Sequence, residues 1–140
     1  MKHLHTLLLL IGLLFVVACG KSKPTEEEFV DITGRDMVTE LGVLLKSQAT
    51  EKKPMPKSAN DLVALEPIFP LAAGKVSGGE LVYAWGTALS EGSGDLTIIA
   101  HPHDAETNGG WVLYKDGSVK KLKVDEFASA TKATKPAKKK

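Results

Sequence analysis

The chain of 140 residues has a single cysteine, Cys19, so no internal disulfide can staple it. Aromatic residues are scarce, with two Trp, two Tyr and four Phe. The core must therefore be built mainly from aliphatic side chains, with Tyr83, Trp85, Trp111 and Tyr114 expected as its largest members. A basic surplus is missing where a fold is expected. Residues 25–130 hold ten Lys/Arg against seventeen Asp/Glu, net −7, which argues against nucleic acid as a partner. No internal repeat is visible. The glycine-rich stretches Ser77–Glu80 and Glu91–Gly94 lack the strand–loop–helix frame and lysine of a phosphate loop, and Ser90, Ser93 and Ser118 lack a nucleophile-elbow context.

What is present begins with a segment that reads as an address. Lys2 supplies a positive start, Leu4–Ala18 is an apolar core broken only by His5 and Thr6, and Gly20-Lys-Ser-Lys-Pro24 turns abruptly polar. At about fifteen residues that core is short of the roughly twenty a spanning helix needs. Val16-Val17-Ala18-Cys19 resembles the bacterial lipoprotein lipobox. The resemblance implies cleavage between Ala18 and Cys19, an S-diacylglycerol on the Cys19 thiol and an N-palmitoyl group on the new amine. Two or more acyl chains are what stable anchoring requires. Gly20, where an Asp would favour inner-membrane retention, points to the outer membrane, facing the periplasm or the cell surface. The expected organisation is a signal peptide at 1–18, a lipidated cysteine and tether at 19–25, a folded domain at 26–128 and a disordered lysine-rich tail at 129–140.

Within the domain, Thr25 and Glu28 stand at capping-box spacing, and Val30, Met37, Val38, Leu41, Leu44 and Leu45 recur at helical intervals, predicting a helix to about Ala49. Pro54 and Pro56 end it. Ser58 is placed to cap a short helix, Ala59–Glu66, closed by Pro67. Ile68–Gly79 reads as a loop with apolar anchors. Strands are expected at Glu80–Gly86, Asp95–Pro102, Trp111–Lys115 and Ser118–Lys123, with His103–Gly110 as a loop. Asp116-Gly117 predicts a type I′ hairpin, and Val124–Phe127 a final turn packing back. Beyond Ala128 the composition of Ser, Ala, Thr, Lys and Pro is expected to bury nothing. The fold class is α+β, a long N-terminal helix and a short helix on a small antiparallel sheet of about four strands.

The order of long helix, "KPMPKSANDLVAL" and terminal hairpin "GGWVLYKDGSVKKLKVDEF" resembles pilins and type II pseudopilins, and the hairpin resembles that of pilin-like proteins of the planctomycete type. The resemblance covers about Glu26 to Ala128 and implies a pilin-like domain, with a role as an accessory component of a type II secretion or pilus-like system as one alternative. The chain departs from pilins in lacking their cleavage motif and in separating the apolar segment from the helix, which argues against polymerisation into a filament.

Three stretches carry candidate chemistry. His101 and His103 alternate and Asp104 follows, a donor set suited to Zn²⁺, on which a metal-dependent envelope enzyme is the second alternative. Asp95, Glu106, Asn108 and Asp116 are oxygen donors in expected loops near the sheet, candidates for Ca²⁺ of the kind some pseudopilins carry, although turn chemistry accounts for the same residues. The tail, with five Lys and no acid in residues 131–140, suits an anionic cell-wall or lipid partner. The leading expectation is a lipid-anchored envelope protein that acts as a non-enzymatic interaction module, needing no cofactor.

Overall fold

A computed structural model describes residues 25–134, apart from the side chains of residues 28–30. Residues 1–24, Cys19 among them, and residues 135–140 therefore lie outside the described set, as do the side chains of Glu28, the expected capping partner of Thr25, and of Val30. The fold is α+β, with five helices and one four-stranded sheet among the described residues. Helix α1 spans Glu26–Thr50, 25 residues. Its stripe is buried as the spacing predicts, at Met37, Val38, Leu41, Leu44 and Leu45. It ends where Lys52 takes a left-handed conformation at φ 54° and the Lys53 N–H reaches back to the Gln48 carbonyl at 2.8 Å.

Helix α2, Ala59–Val63, starts at Ser58. The Asp61 carboxylate accepts the backbone N–H groups of Lys57 (2.8 Å) and Ser58 (3.1 Å), which holds its first turn. The segment expected as a loop contains a helix instead, α3 at Pro70–Ser77. Pro70 occupies its first turn, where the missing N–H costs nothing, and Gly78-Gly79 ends it. Ala72, Ala73 and Val76 bury one face at helical spacing. The α1 side chain Glu40 accepts the Ala72 N–H at 2.5 Å, so one helix satisfies the first turn of another from 32 residues away.

The sheet is an antiparallel meander of β1 Leu81–Tyr83, β2 Ile98–Pro102, β3 Gly110–Tyr114 and β4 Val119–Leu122, in that spatial order. Every strand falls within its expected range apart from an added Gly110, and most are shorter than expected. The β2–β3 register shifts between Ile98 and Ala100, a bulge that lets the consecutive residues Ile99 and Ala100 pack in one cluster while Ile98 packs in the other. The β3–β4 hairpin is not type I′. Only Gly117 of the Asp-Gly pair has positive φ, at 84°, and the Tyr114 N–H pairs with the Ser118 carbonyl at 2.9 Å. That makes a three-residue loop closing on a left-handed glycine. The Asp116 carboxylate is committed to that turn through the Ser118 N–H (2.9 Å) and hydroxyl (2.6 Å).

Both faces of the sheet are covered. On one, Leu81, Tyr83 and Leu113 pack under α1 and α3. On the other, Val112, Tyr114 and Leu122 pack with Phe127. Phe127 is fully buried and belongs to a helix, α5 at Val124–Ser129, where only a turn was expected. A one-turn helix, α4 at Ala105–Asn108, joins β2 to β3 and contributes buried Ala105 to the same cluster. No residue described past Ala128 is fully buried, but the next few are paired to the sheet. Thr131 and Ala133 bracket Ile98 with two backbone hydrogen bonds of 2.8 Å, and Lys132 pairs with Ile98 in parallel. These residues occupy the flank of β2 that β1 vacates after Tyr83. The Lys132 ammonium lies 4.3 Å from the Phe127 ring and donates to the Phe127 carbonyl at 2.7 Å, a cation at a helix C-terminus. No helix among the described residues is long and apolar enough to cross a membrane.

Candidate functional site

In an antiparallel meander the β2–β3 connection lies at the end opposite the β3–β4 hairpin. That end also receives the start of α1, and between them lies a groove of about 690 Å³. Trp111, half-buried at the start of β3, lines it. The indole Nε1–H donates to Asp31 on α1 at 2.9 Å, and the Lys121 ammonium donates to the same carboxylate oxygen at 2.5 Å. Trp111 and Lys121 are directly paired across β3 and β4, so one pleat presents both to the helix. Arg35, one turn on from Asp31, stands 5.6 Å from the indole ring centre. Gly34 faces the same ring, and a Cβ there would meet it at 3.4 Å, an ordinary van der Waals contact.

The electrostatics follow from that arrangement. Lys121 first, and the indole N–H second, hold the Asp31 carboxyl below its ordinary range. The rim is acidic. Glu26, Glu27, Asp31, Glu80 and Asp104 line the groove against Lys75 and Lys121. Both lysines are already committed, Lys75 to Glu80 and Lys121 to Asp31. Asp104 accepts the Asn108 side-chain N–H at 2.7 Å. A lining that sets the Trp111 indole among five carboxylates suits a cationic or amine-bearing group.

The histidines are not brought together. His103 lines the groove, whereas His101 lines a separate depression of about 280 Å³ with Val82, Trp85 and Lys132. The physical reason is the end of β2 at Pro102. Alternation holds only inside a strand, and the His103 N–H is turned to the Glu80 carbonyl at 3.0 Å. His101 Nδ1 lies 2.7 Å from the Pro102 carbonyl, and its ring meets Phe127 edge-on at 4.9 Å. The Zn²⁺ set His101, His103 and Asp104 is thus divided between two cavities.

The Ca²⁺ set is divided as well. Asp95 and Asp116 lie at the hairpin end, where the Asp116 N–H meets the Asp95 carbonyl at 3.2 Å, while Glu106 and Asn108 are on α4 at the other end. Asp95 pairs with Lys115 at 3.0 Å and accepts the Thr97 N–H at 3.2 Å. The Asp95 carboxyl is held low by Thr97 and then Lys115, and that of Asp116 by Ser118. These carboxylates are spent on loop closure, and among the described residues no three His, Cys, Asp or Glu gather as a metal-holding group.

No protein-family model, curated protein or solved structure matches this chain. The Asp31–Trp111–Lys121 junction escaped the sequence reading because its members are 80 and 90 positions apart. The tyrosines are core as expected, Tyr83 and Tyr114 both buried, but Trp85 and Trp111 are half-exposed.

Proposed function

We propose that this chain is a bacterial envelope lipoprotein, anchored through lipid on Cys19, that works as a binding module. The observation that carries the reading is the place of Cys19. It stands at the end of an apolar segment too short to span a bilayer, and five residues, Gly20–Pro24, separate it from Thr25 at the head of α1. The groove shares that end of the domain, since Glu26, Glu27 and Asp31 belong to the first turns of α1. A partner held there sits within a short tether of the membrane surface. Five titratable side chains of the groove, Asp31, Lys75, Glu80, Asp104 and Lys121, are ion-paired or hydrogen-bonded, which supports a reading as a binding surface.

A second reading, an accessory subunit of a type II secretion or pilus-like machine, draws support from α1 laid along an antiparallel meander. The test of the first is intact mass on protein extracted from membranes, beside Cys19→Ser. The expected mass is that of residues 19–140 plus a glyceride and acyl chains, with the increment lost in the variant. An unmodified protein in the soluble fraction overturns the anchor.

A further inference from the structure

We propose that the groove beside Trp111 is a binding site for a linear polyamine, a flexible methylene chain that carries ammonium groups along its length. Such a site rests on the reading of the groove as a binding surface and not on the lipid anchor.

The cavity, at about 690 Å³, lies within the roughly 300–1,000 Å³ of small-molecule sites. Its lining combines the apolar groups of Met37, Pro102 and Trp111 with five carboxylates. The indole is held in place before any ligand arrives, because its N–H donates to Asp31 at 2.9 Å. A ring already fixed costs little to order on binding, and its π-face attracts cations.

The charge of the lining calls for a cation. Its two lysines, Lys75 and Lys121, are paired with Glu80 and Asp31. Glu26, Glu27 and Asp104 take part in no ion pair among the described residues. These carboxylates share one cavity without converging on one point, since no three His, Cys, Asp or Glu among the described residues gather closely enough to hold a metal ion. A divalent cation needs its oxygen donors converged on a single centre. A polyamine meets separated carboxylates one ammonium at a time, and its methylenes lie against apolar side chains between them.

A basic peptide would bring the same ammonium groups together with a backbone that needs partners of its own. Of the two edge strands, β1 contributes no residue to the lining and β4 contributes only Lys121. An extended peptide therefore finds no run of free strand edge to pair with, whereas a polyamine has no backbone to satisfy.

Spermidine titrated at fixed ionic strength into the full-length ¹⁵N-labelled chain in neutral detergent tests this. The Trp111 indole N–H resonance should shift saturably, and that of Trp85, which lies outside the groove, should stay in place. The E27Q/D104N double variant should bind about tenfold more weakly, while E66Q, at an exposed position outside the lining, should bind as the unaltered chain does. The indole shift is read on the unaltered chain, so the test survives a variant that fails to fold. Magnesium chloride, the compact-charge probe, should bind at least about tenfold more weakly than spermidine. Equal affinity for magnesium overturns the proposal in favour of an unspecific attraction for cations. An N-acetyl-trilysine amide of the same charge that binds more tightly than spermidine overturns it in favour of a peptide partner and leaves the groove a binding surface. An indole resonance unmoved by all of these probes overturns both the proposal and the reading of the groove as a binding surface.

Discussion

Asp31 accepts two hydrogen bonds on one carboxylate oxygen, from an indole at the head of β3 and from a lysine on β4. It is the residue by which α1 is pinned at the groove end of the sheet. Its carboxyl titrates below the ordinary value of 3.8 because Lys121 and then Trp111 favour the ionised form. The sign of the pH effect follows. Below 3.8 the unfolded chain binds the proton first, so the stabilisation from Asp31 is complete above that value and is lost as pH falls through the lowered one. Asp31→Asn keeps an acceptor for the indole and removes the charge. Thermal melts from about pH 7 to about pH 2 should show a lower Tm for the variant at neutral pH and a gap that closes in acid. A gap of constant size would show that charge is not what Asp31 contributes. Nothing near Asp31 in the sequence points to this role, since its partners arrive only when α1 lies on the sheet.

At the scale of elements, α1 and the four strands were legible because each carries its own periodicity or its own β-branched and aromatic run. Helix α3 was not, although Pro70 and Gly78-Gly79 bracket it as a helix start and stop. Its eight residues are too few to show a period, and its first turn is completed by Glu40 of another helix. The α4–β3 junction is a second case. Gly109 has φ 67° and ψ −152°, a region that belongs almost to glycine alone, and a Cβ there would sit 2.4 Å from the Leu122 carbonyl oxygen. Gly109→Ala should cost about 1–3 kcal/mol from the backbone alone, with the clash adding to it, measured by urea unfolding. A loss under about 0.5 kcal/mol would mean that β4 yields at Leu122 without strain elsewhere.

For the whole molecule the deciding feature is that the sheet is covered on both faces. The upper cluster is built by α1 and α3, and the lower one is closed by a single large side chain, Phe127, with Ala105 and Ala130 beside it. Phe127→Ala empties a fully buried site and should cost about 3–5 kcal/mol by urea unfolding. A loss below about 1 kcal/mol would indicate that α5 is dispensable and that the lower face stands exposed without penalty. The covering of this face also explains why the ordered chain runs past Ala128. Ile98 has lost β1 as a neighbour, and its backbone N–H and carbonyl are satisfied by Thr131 and Ala133.

The sequence by itself determined the α+β class, the buried stripe of α1, the positions of the four strands and the approximate end of the long helix, because propensity and periodicity act over a few residues. Tertiary structure alone decided the groove and the separation of His101 from His103. Each of these depends on contacts between segments far apart in the chain. The end of β2 at Pro102 and the docking of α1 on β3 and β4 settle which side chains meet, and no local pattern encodes a distance of 80 residues.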